Sequence, residues 1–214
     1  LFSHYRAATT APSITTADDL VRAAFTQIPV FEEFVRAAEG VPRDAINLAA
    51  KLGSKSYGKA ATAADVRSVA RDWYLLDKAA VFKSWPELDY LMNGIIEDII
   101  GQRRARAFLF PSNAKDEHIE RLFDSRIVHV LKRNISSNDE PGKRFTVYKI
   151  DYGCYVDLIN TKQAPMGLFE ALAGQGEKDG WVEVPSDDYR SIRRAVLTPA
   201  SVEAFLKRAS IDPN

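Results

Sequence analysis

Leu88-Asp89-Tyr90-Leu91-Met92-Asn93-Gly94-Ile95-Ile96-Glu97-Asp98-Ile99-Ile100 sets Leu88, Leu91, Met92, Ile95, Ile96, Ile99 and Ile100 on one face at i, i+3, i+4, i+7 spacing, the pattern of an amphipathic helix. The period then changes. Ala107-Phe108-Leu109-Phe110 predicts a short strand ended by Pro111, and Lys115 to Ser125 a helix with Ile119, Leu122 and Phe123 inward. Ile127-Val128-His129-Val130-Leu131 and Phe145-Thr146-Val147-Tyr148-Lys149-Ile150 predict two strands joined by a long polar loop containing Pro141-Gly142.

Upstream, the reading is helical throughout. Thr16 followed by Asp19 predicts a capping box, with Leu20, Val21, Ala24 and Phe25 repeating behind it. A second stripe follows at Phe31, Phe34, Val35 and Ala38, and Gly40 stops that helix. Pro42 starts the next, whose expected buried face is Ala45, Ile46, Ala49 and Leu52. Gly53 to Ala61 reads as a polar loop; Thr62 and Asp65 then repeat the capping box before Val66, Val69, Ala70 and Trp73. One connecting helix is expected between about Asp72 and Trp85, and Ser84-Trp85-Pro86-Glu87 opens the amphipathic helix above.

The chain therefore reads as mainly α with a small β component, an α+β fold. A helical domain is expected at 14–75, a linker helix at 76–85, a module at 86–160 and a C-terminal extension at 161–214. Helix, strand, helix, hairpin over 86–160 is the order of a winged helix. In the extension, Leu168 to Ala173 and Asp188 to Leu197 predict helices, the second clustering Arg190, Arg193 and Arg194. Gly174 to Gly180 reads as a flexible turn, and Thr198-Pro199 opens a last helix with Val202, Phe205 and Leu206.

Composition narrows the class. Hydrophobic residues are 46% and charged residues 27% of the 214, the balance of a globular chain rather than a disordered one. No apolar run approaches the roughly 18 residues of a membrane span, and Leu1-Phe2-Ser3-His4-Tyr5-Arg6 lacks the apolar core of a signal peptide. One cysteine, Cys154, allows no intrachain disulfide, and His4, His118 and His129 are too scattered for a metal cluster. A soluble cytoplasmic protein without membrane partners is expected. Lys+Arg and Asp+Glu are both 29, so a nucleic-acid surface would have to be a local patch.

Gly53-Ser54-Lys55-Ser56-Tyr57-Gly58-Lys59-Ala60 matches the phosphate-loop pattern Gly-x-x-x-x-Gly-Lys at every position but the last. A phosphate loop needs a strand before it and a Ser or Thr after the lysine to ligate magnesium. Here a helix precedes it and Ala60 has no hydroxyl, so a solvated interhelical turn is the expectation. In Glu39-Gly40-Val41-Pro42-Arg43-Asp44, Arg43 occupies a first helical turn, where the macrodipole disfavours a cation. Either a salt bridge to Glu39 or Asp44 explains it, or Arg43 reaches outward to an anion such as a nucleotide phosphate.

Ala37-Ala38-Glu39-Gly40-Val41-Pro42-Arg43-Asp44-Ala45-Ile46-Asn47-Leu48-Ala49, with Ala61-Thr62-Ala63-Ala64-Asp65-Val66-Arg67 after it, resembles the lid of AAA+ ATPases related to origin-recognition and replication-initiation proteins. In that family a winged helix follows the lid. Asp124-Ser125-Arg126-Ile127-Val128-His129, Glu140-Pro141-Gly142-Lys143-Arg144 and Ile150-Asp151-Tyr152-Gly153-Cys154-Tyr155-Val156-Asp157-Leu158 resemble bacterial members of the group. The resemblance covers roughly residues 20–160 and implies that Arg43 is the lid's sensor-2 arginine, contacting nucleotide phosphates. The chain carries no Walker A, Walker B or arginine-finger region. It is therefore expected to be the C-terminal part of a longer ATPase, with ATP or ADP and Mg held by the rest of that protein and no hydrolysis by this chain alone.

Double-stranded DNA is the expected partner of the winged helix. Arg103, Arg104 and Arg106, with Lys132, Arg133, Lys143 and Arg144 at the base of the wing, could neutralise phosphates. Against base reading, Asp116, Glu117, Glu120 and Asp124 outnumber Lys115 and Arg121 on the would-be recognition helix, and a groove would repel them unless they turn inward. The alternative is a winged helix used for protein contacts, self-association or autoregulation. Tyr148, Tyr152 and Tyr155 read as core and cross-strand packing in the hairpin rather than a stacking platform. Cys154 reads as a small buried residue and His129 as a satisfied, half-buried one. No nucleophile–base or paired-carboxylate constellation marks an enzyme.

Overall fold

In the computed structural model, which describes Ser3 and residues 14–98, 107–136, 142–160 and 195–209, the chain divides into two units. The first runs through Asp77 and takes back Tyr152–Val156; the second runs from Lys78 to Asp151 and resumes at Asp157. The architecture is α+β, mainly helical with one small antiparallel sheet.

Local chemistry sets the helices of the first unit. α1 (Ala17–Ala24) and α4 (Ala63–Trp73) each begin with the reciprocal cap expected: the Asp19 amide donates to Thr16 Oγ1 at 3.1 Å, and the Thr16 amide donates to Asp19 Oδ2 at 2.8 Å. α2 (Ile28–Ala37) and α3 (Pro42–Lys55) instead carry a proline in the first turn, Pro29 as second residue and Pro42 as first, where a missing N–H costs nothing. The turn between α2 and α3 needs two left-handed residues, Glu39 at φ 54 and Gly40 at φ 73.

Two faces differ from the sequence expectation. In α2 the buried set is Val30, Glu33, Phe34 and Ala37, while Val35 is exposed. In α3 it is Asp44, Leu48 and Leu52, while Ile46 is exposed. In both cases an acid occupies a core position, so a stripe chosen from apolar residues alone comes out rotated. The α4 stripe of Val66, Val69, Ala70 and Trp73 is buried as read. α3 continues through Gly53-Ser54-Lys55, so the polar loop starts only at Ser56.

The single connecting helix expected after α4 is in fact two pieces: a π-helical turn at Tyr74–Lys78 and a short α5 (Ala80–Ser84). Far along the chain, α8 (Tyr152–Asn160) begins in the first unit. It comes so near α4 that a Cβ at Gly153 would lie 2.4 Å from the Ala70 carbonyl oxygen. Tyr152 and Tyr155 are thus helical residues rather than hairpin residues, and both are buried with Cys154.

In the second unit, α6 (Glu87–Ile95) buries Leu88, Leu91, Met92 and Ile95, and Ile96 beyond it, as its periodicity requires; Ile99 and Ile100 of the same expected stripe lie outside the described residues. β1 (Ala107–Pro111), α7 (Glu117–Asp124), β2 (Val128–Ser136) and β3 (Arg144–Ile150) follow in the order expected. The sheet order is β1-β3-β2, antiparallel at both contacts, with Leu109 opposite Val147 and His129 opposite Lys149. A single helix, α7, lies between β1 and β2.

Both faces of β1 are buried; Leu109 joins Ala107, Phe145 and Val147 in one cluster, and Phe108 stacks on Tyr148. The outer edge of β1 is closed by residues 195–197: the Leu109 amide donates to the Ala195 carbonyl at 2.8 Å and the Leu197 amide to the Leu109 carbonyl at 2.9 Å. These three residues were expected at the end of a helix and are extended instead, because β1 offers them a row of backbone partners. The rest of that expected helix, with Arg190, Arg193 and Arg194, lies outside the described residues, as do Leu168 to Ala173 and Gly174 to Gly180. α9 (Pro199–Ala209) forms where Thr198-Pro199 predicts it, its Phe205 ring lying against Gly94 of α6.

Candidate functional site

Arg43 stands in the first turn of α3 with its side chain 66% exposed. The two local acids offered by the sequence do not hold it. Asp44 points into the core and accepts a hydrogen bond from Trp73 Nε1 at 3.2 Å. The partner of Arg43 is Asp77, in the π-helical turn, at 3.4 Å from Nη2 to Oδ1. An exposed cation next to an oxyanion, on the helix end whose dipole favours negative charge, can exchange that carboxylate for a phosphate oxygen.

The residue after Asp77 belongs to a buried cluster that sequence reasoning missed. Lys78 Nζ donates to Asp151 Oδ2 at 2.5 Å, and His129 Nε2 lies 3.2 Å from the same oxygen. All three side chains are buried within the second unit. Burial by itself pushes the Asp151 carboxyl up, but the bond to His129 and the Lys78 charge outweigh it and hold the group down at about 2. His129 is satisfied as expected, and more fully buried.

The first unit has its own buried acid. Glu33 accepts from Arg67 Nε at 2.7 Å and from Nη2 at 3.4 Å, a forked contact, and the Tyr152 hydroxyl donates to its Oε1. Burial, then the bond to Glu33 and its charge, raise the Tyr152 hydroxyl far above the ordinary tyrosine range, so it stays a donor. A signal for Glu33 was present, since with Val30, Phe34 and Ala37 it completes an i, i+3, i+4, i+7 stripe.

The basic residues of the hairpin are partly assembled. The β2–β3 register slips between Val130 and Lys132 and again between Lys132 and Ile135, two bulges on one edge strand. Alternation fails there, and Leu131, Lys132, Arg133 and Asn134 are exposed in succession. Lys143 and Arg144 are exposed too, and Arg144 Nη1 donates to the Asn134 carbonyl at 3.3 Å. Arg103, Arg104 and Arg106 lie outside the described residues.

On α7 Ile119 and Leu122 are buried as expected, but Phe123, expected inward, is 39% exposed, and the acids do not turn inward either: Glu117, Glu120 and Asp124 are exposed, while Asp116 is spent as the N-cap, accepting from the amides of His118 and Ile119. The Arg121 guanidinium lies over the Trp85 ring, its central carbon 3.5 Å from the ring centroid.

The Gly53–Lys59 motif does not form a phosphate loop. Its first three residues are the last turn of α3, so the carbonyl end of a helix, not converging amides, faces the turn at Gly58. Among the described residues no group of three or more His, Cys, Asp or Glu could hold a metal, and no helix is long and apolar enough to cross a membrane. None of the protein families, curated proteins or solved structures compared with the chain matches it.

Proposed function

We propose that the chain is the lid and winged-helix region of an AAA+ ATPase of the replication-initiator type, in which Arg43 senses nucleotide and the second unit binds duplex DNA through its backbone. The observation that carries the sensing role is Arg43 itself: an exposed guanidinium on the first turn of α3, turned from its neighbouring acids toward a distant carboxylate. The ATP or ADP and its Mg would sit in the ATPase segment of the complete, cytoplasmic protein, and Arg43 would supply a phosphate contact from this chain.

The DNA reading is supported by the two bulges on β2, where Lys132 and Arg133 are exposed, and by Arg144 on the facing strand, whose guanidinium bonds the Asn134 carbonyl. Lysine and arginine on an edge ribbon suit phosphate contact, which positions a protein without reading sequence. A second reading, a protein-binding winged helix, is favoured by the exposed acids of α7 and by Phe123, 39% exposed among them.

Two measurements test the proposal. In the complete protein, Arg43→Ala is expected to weaken ATP binding and alter hydrolysis or assembly; unchanged values for all three would remove the sensor role. Fluorescence anisotropy of this chain with a mixed-sequence duplex is expected to show binding that weakens steeply with salt. Flat traces at low salt would transfer the second unit to the protein-binding reading.

A further inference from the structure

Within the second unit α7 packs beside β2, and the two present opposite charges to solvent. On α7, Glu120, Phe123 and Asp124 fall at i, i+3, i+4, so an exposed aromatic ring shares one helix face with two exposed carboxylates. On β2, Leu131 is exposed next to Lys132 and Arg133. Half-buried Tyr148 of β3, paired with Val130 of β2, lies where the two charges approach. Burial raises its hydroxyl most; the Arg133 charge then lowers it and the Glu120 charge raises it. Arg133 and Glu120 thus both act on this tyrosine, yet they do not meet: among the described residues Arg133, Glu120 and Asp124 make no ion pair. Arg121, the basic residue of α7, is held over the Trp85 ring and reaches Glu117 instead, at 3.7 Å.

We propose that this surface is a contact between two copies of the chain, related by a two-fold axis, in which α7 of each copy lies on the basic β2 ribbon of the other. Neighbouring patches of opposite sign are complementary to themselves under a two-fold rotation: each patch meets its opposite, and the pair closes at two copies. Phe123 and Leu131 supply the apolar centre of the contact, and Glu120, Asp124, Lys132 and Arg133 its charged rim. Other arrangements of two copies on this sheet are disfavoured. Pairing β2 edge to edge would set Lys132 and Arg133 against their own copies and is hindered by the two bulges, and the outer edge of β1 is already taken by residues 195–197. One helix and one ribbon from each copy make a small interface, so the association is weak and falls with salt. The contact requires neither the nucleotide reading nor the DNA reading, although it covers the ribbon that duplex phosphates would use.

The experiment is sedimentation velocity of this chain from about 5 to 200 μM, a range that captures micromolar association, at low and at high salt. Wild type is compared with an acid-reversed variant (Glu120→Lys with Asp124→Lys), a base-reversed variant (Lys132→Glu with Arg133→Glu) and an equimolar mixture of the two. Wild type is expected to move toward twice the mass of one chain as concentration rises at low salt, and to do so less at high salt. Either reversal alone sets like charges across the axis and is expected to weaken association by at least about tenfold. The mixture is expected to recover it, because one variant is basic on both patches and the other acidic on both. Recovery cannot come from a misfolded variant; should either fail to fold, Glu120→Gln with Asp124→Asn is expected to weaken association in the same direction. A monomer at every concentration, a dimer indifferent to both reversals, or no recovery on mixing two folded variants would overturn the proposal. A dimer that gives flat duplex anisotropy would keep this contact and remove the DNA reading, whereas a monomer that binds duplex would do the reverse.

Discussion

Changing Asp151 to asparagine removes the acid that two buried bases share. Lys78 would keep its ammonium, 3% exposed, with the charge of that carboxylate gone. Breaking a buried pair by removing one partner costs about 3–5 kcal/mol. The amide oxygen can still accept from Lys78 or His129, which places Asp151→Asn near the lower end, about 3 kcal/mol. For a chain of this size each kcal/mol moves the melting midpoint by roughly 2–4 °C, so a fall of about 6–12 °C at pH 7 is expected by circular dichroism. Lys78→Met in the asparagine background should recover part of the loss, since it withdraws the buried ammonium that has lost this carboxylate. The acid limb supplies an independent check. The Asp151 carboxyl is held at about 2 against an ordinary 3.8, so its contribution, on the order of 2 kcal/mol, is complete above the unfolded value and disappears as the pH falls through about 2. The wild type should lose this share between pH 4 and 2, and the variant should not. A midpoint within about 2 °C of wild type, with an unchanged acid limb, would refute the buried triad.

Other residues give sharper local tests. Gly153→Ala would put a Cβ 2.4 Å from a backbone oxygen of α4, so a loss of about 2–3 kcal/mol in urea denaturation is expected, and less than about 0.5 kcal/mol would contradict the close approach. Tyr152→Phe removes one donor from buried Glu33 while Arg67 remains, and should cost about 1.5–3 kcal/mol by the same measurement. For DNA, changing Lys132, Arg133, Lys143 and Arg144 to alanine should flatten the plot of log affinity against log salt by about 0.9 for each phosphate no longer neutralised; an unchanged slope would take the hairpin out of the interface.

What the sequence disclosed was local. Both threonine–aspartate caps, the stripes of α4 and α6, and the helix, strand, helix, hairpin order depend on residues within a few positions of one another, and each is found. Arg43 was also visible locally, as a cation where a helix end disfavours one. Its partner was not, because Asp77 is brought near by a π turn that no 3.6-residue period anticipates. Lys78 and Asp151 are 73 residues apart and Glu33 and Tyr152 are 119, so no window could show that these charges would be buried. Asp44 and Glu33 did leave a trace, as acids at core spacing within otherwise apolar faces.

The second unit separates its charges in a way that constrains how it could meet DNA. α7 shows Glu117, Glu120 and Asp124 to solvent, and the bulged edge of β2 shows Lys132 and Arg133. A helix entering the major groove must offer donors to base edges while tolerating phosphates on either side, and three exposed carboxylates on eight residues do neither. The ribbon asks only for phosphates. Binding by this unit should therefore be nearly independent of sequence, and α7 should oppose it. A carboxylate about 8 Å from a phosphate costs about 0.5 kcal/mol in water, so neutralising two of them is worth about fivefold in affinity at low salt. Glu117→Gln with Glu120→Gln is expected to tighten binding to any duplex by that factor, with the gain closing as salt screens the charges. Weaker binding in this variant, or a gain confined to one sequence, would mean that α7 faces the bases after all.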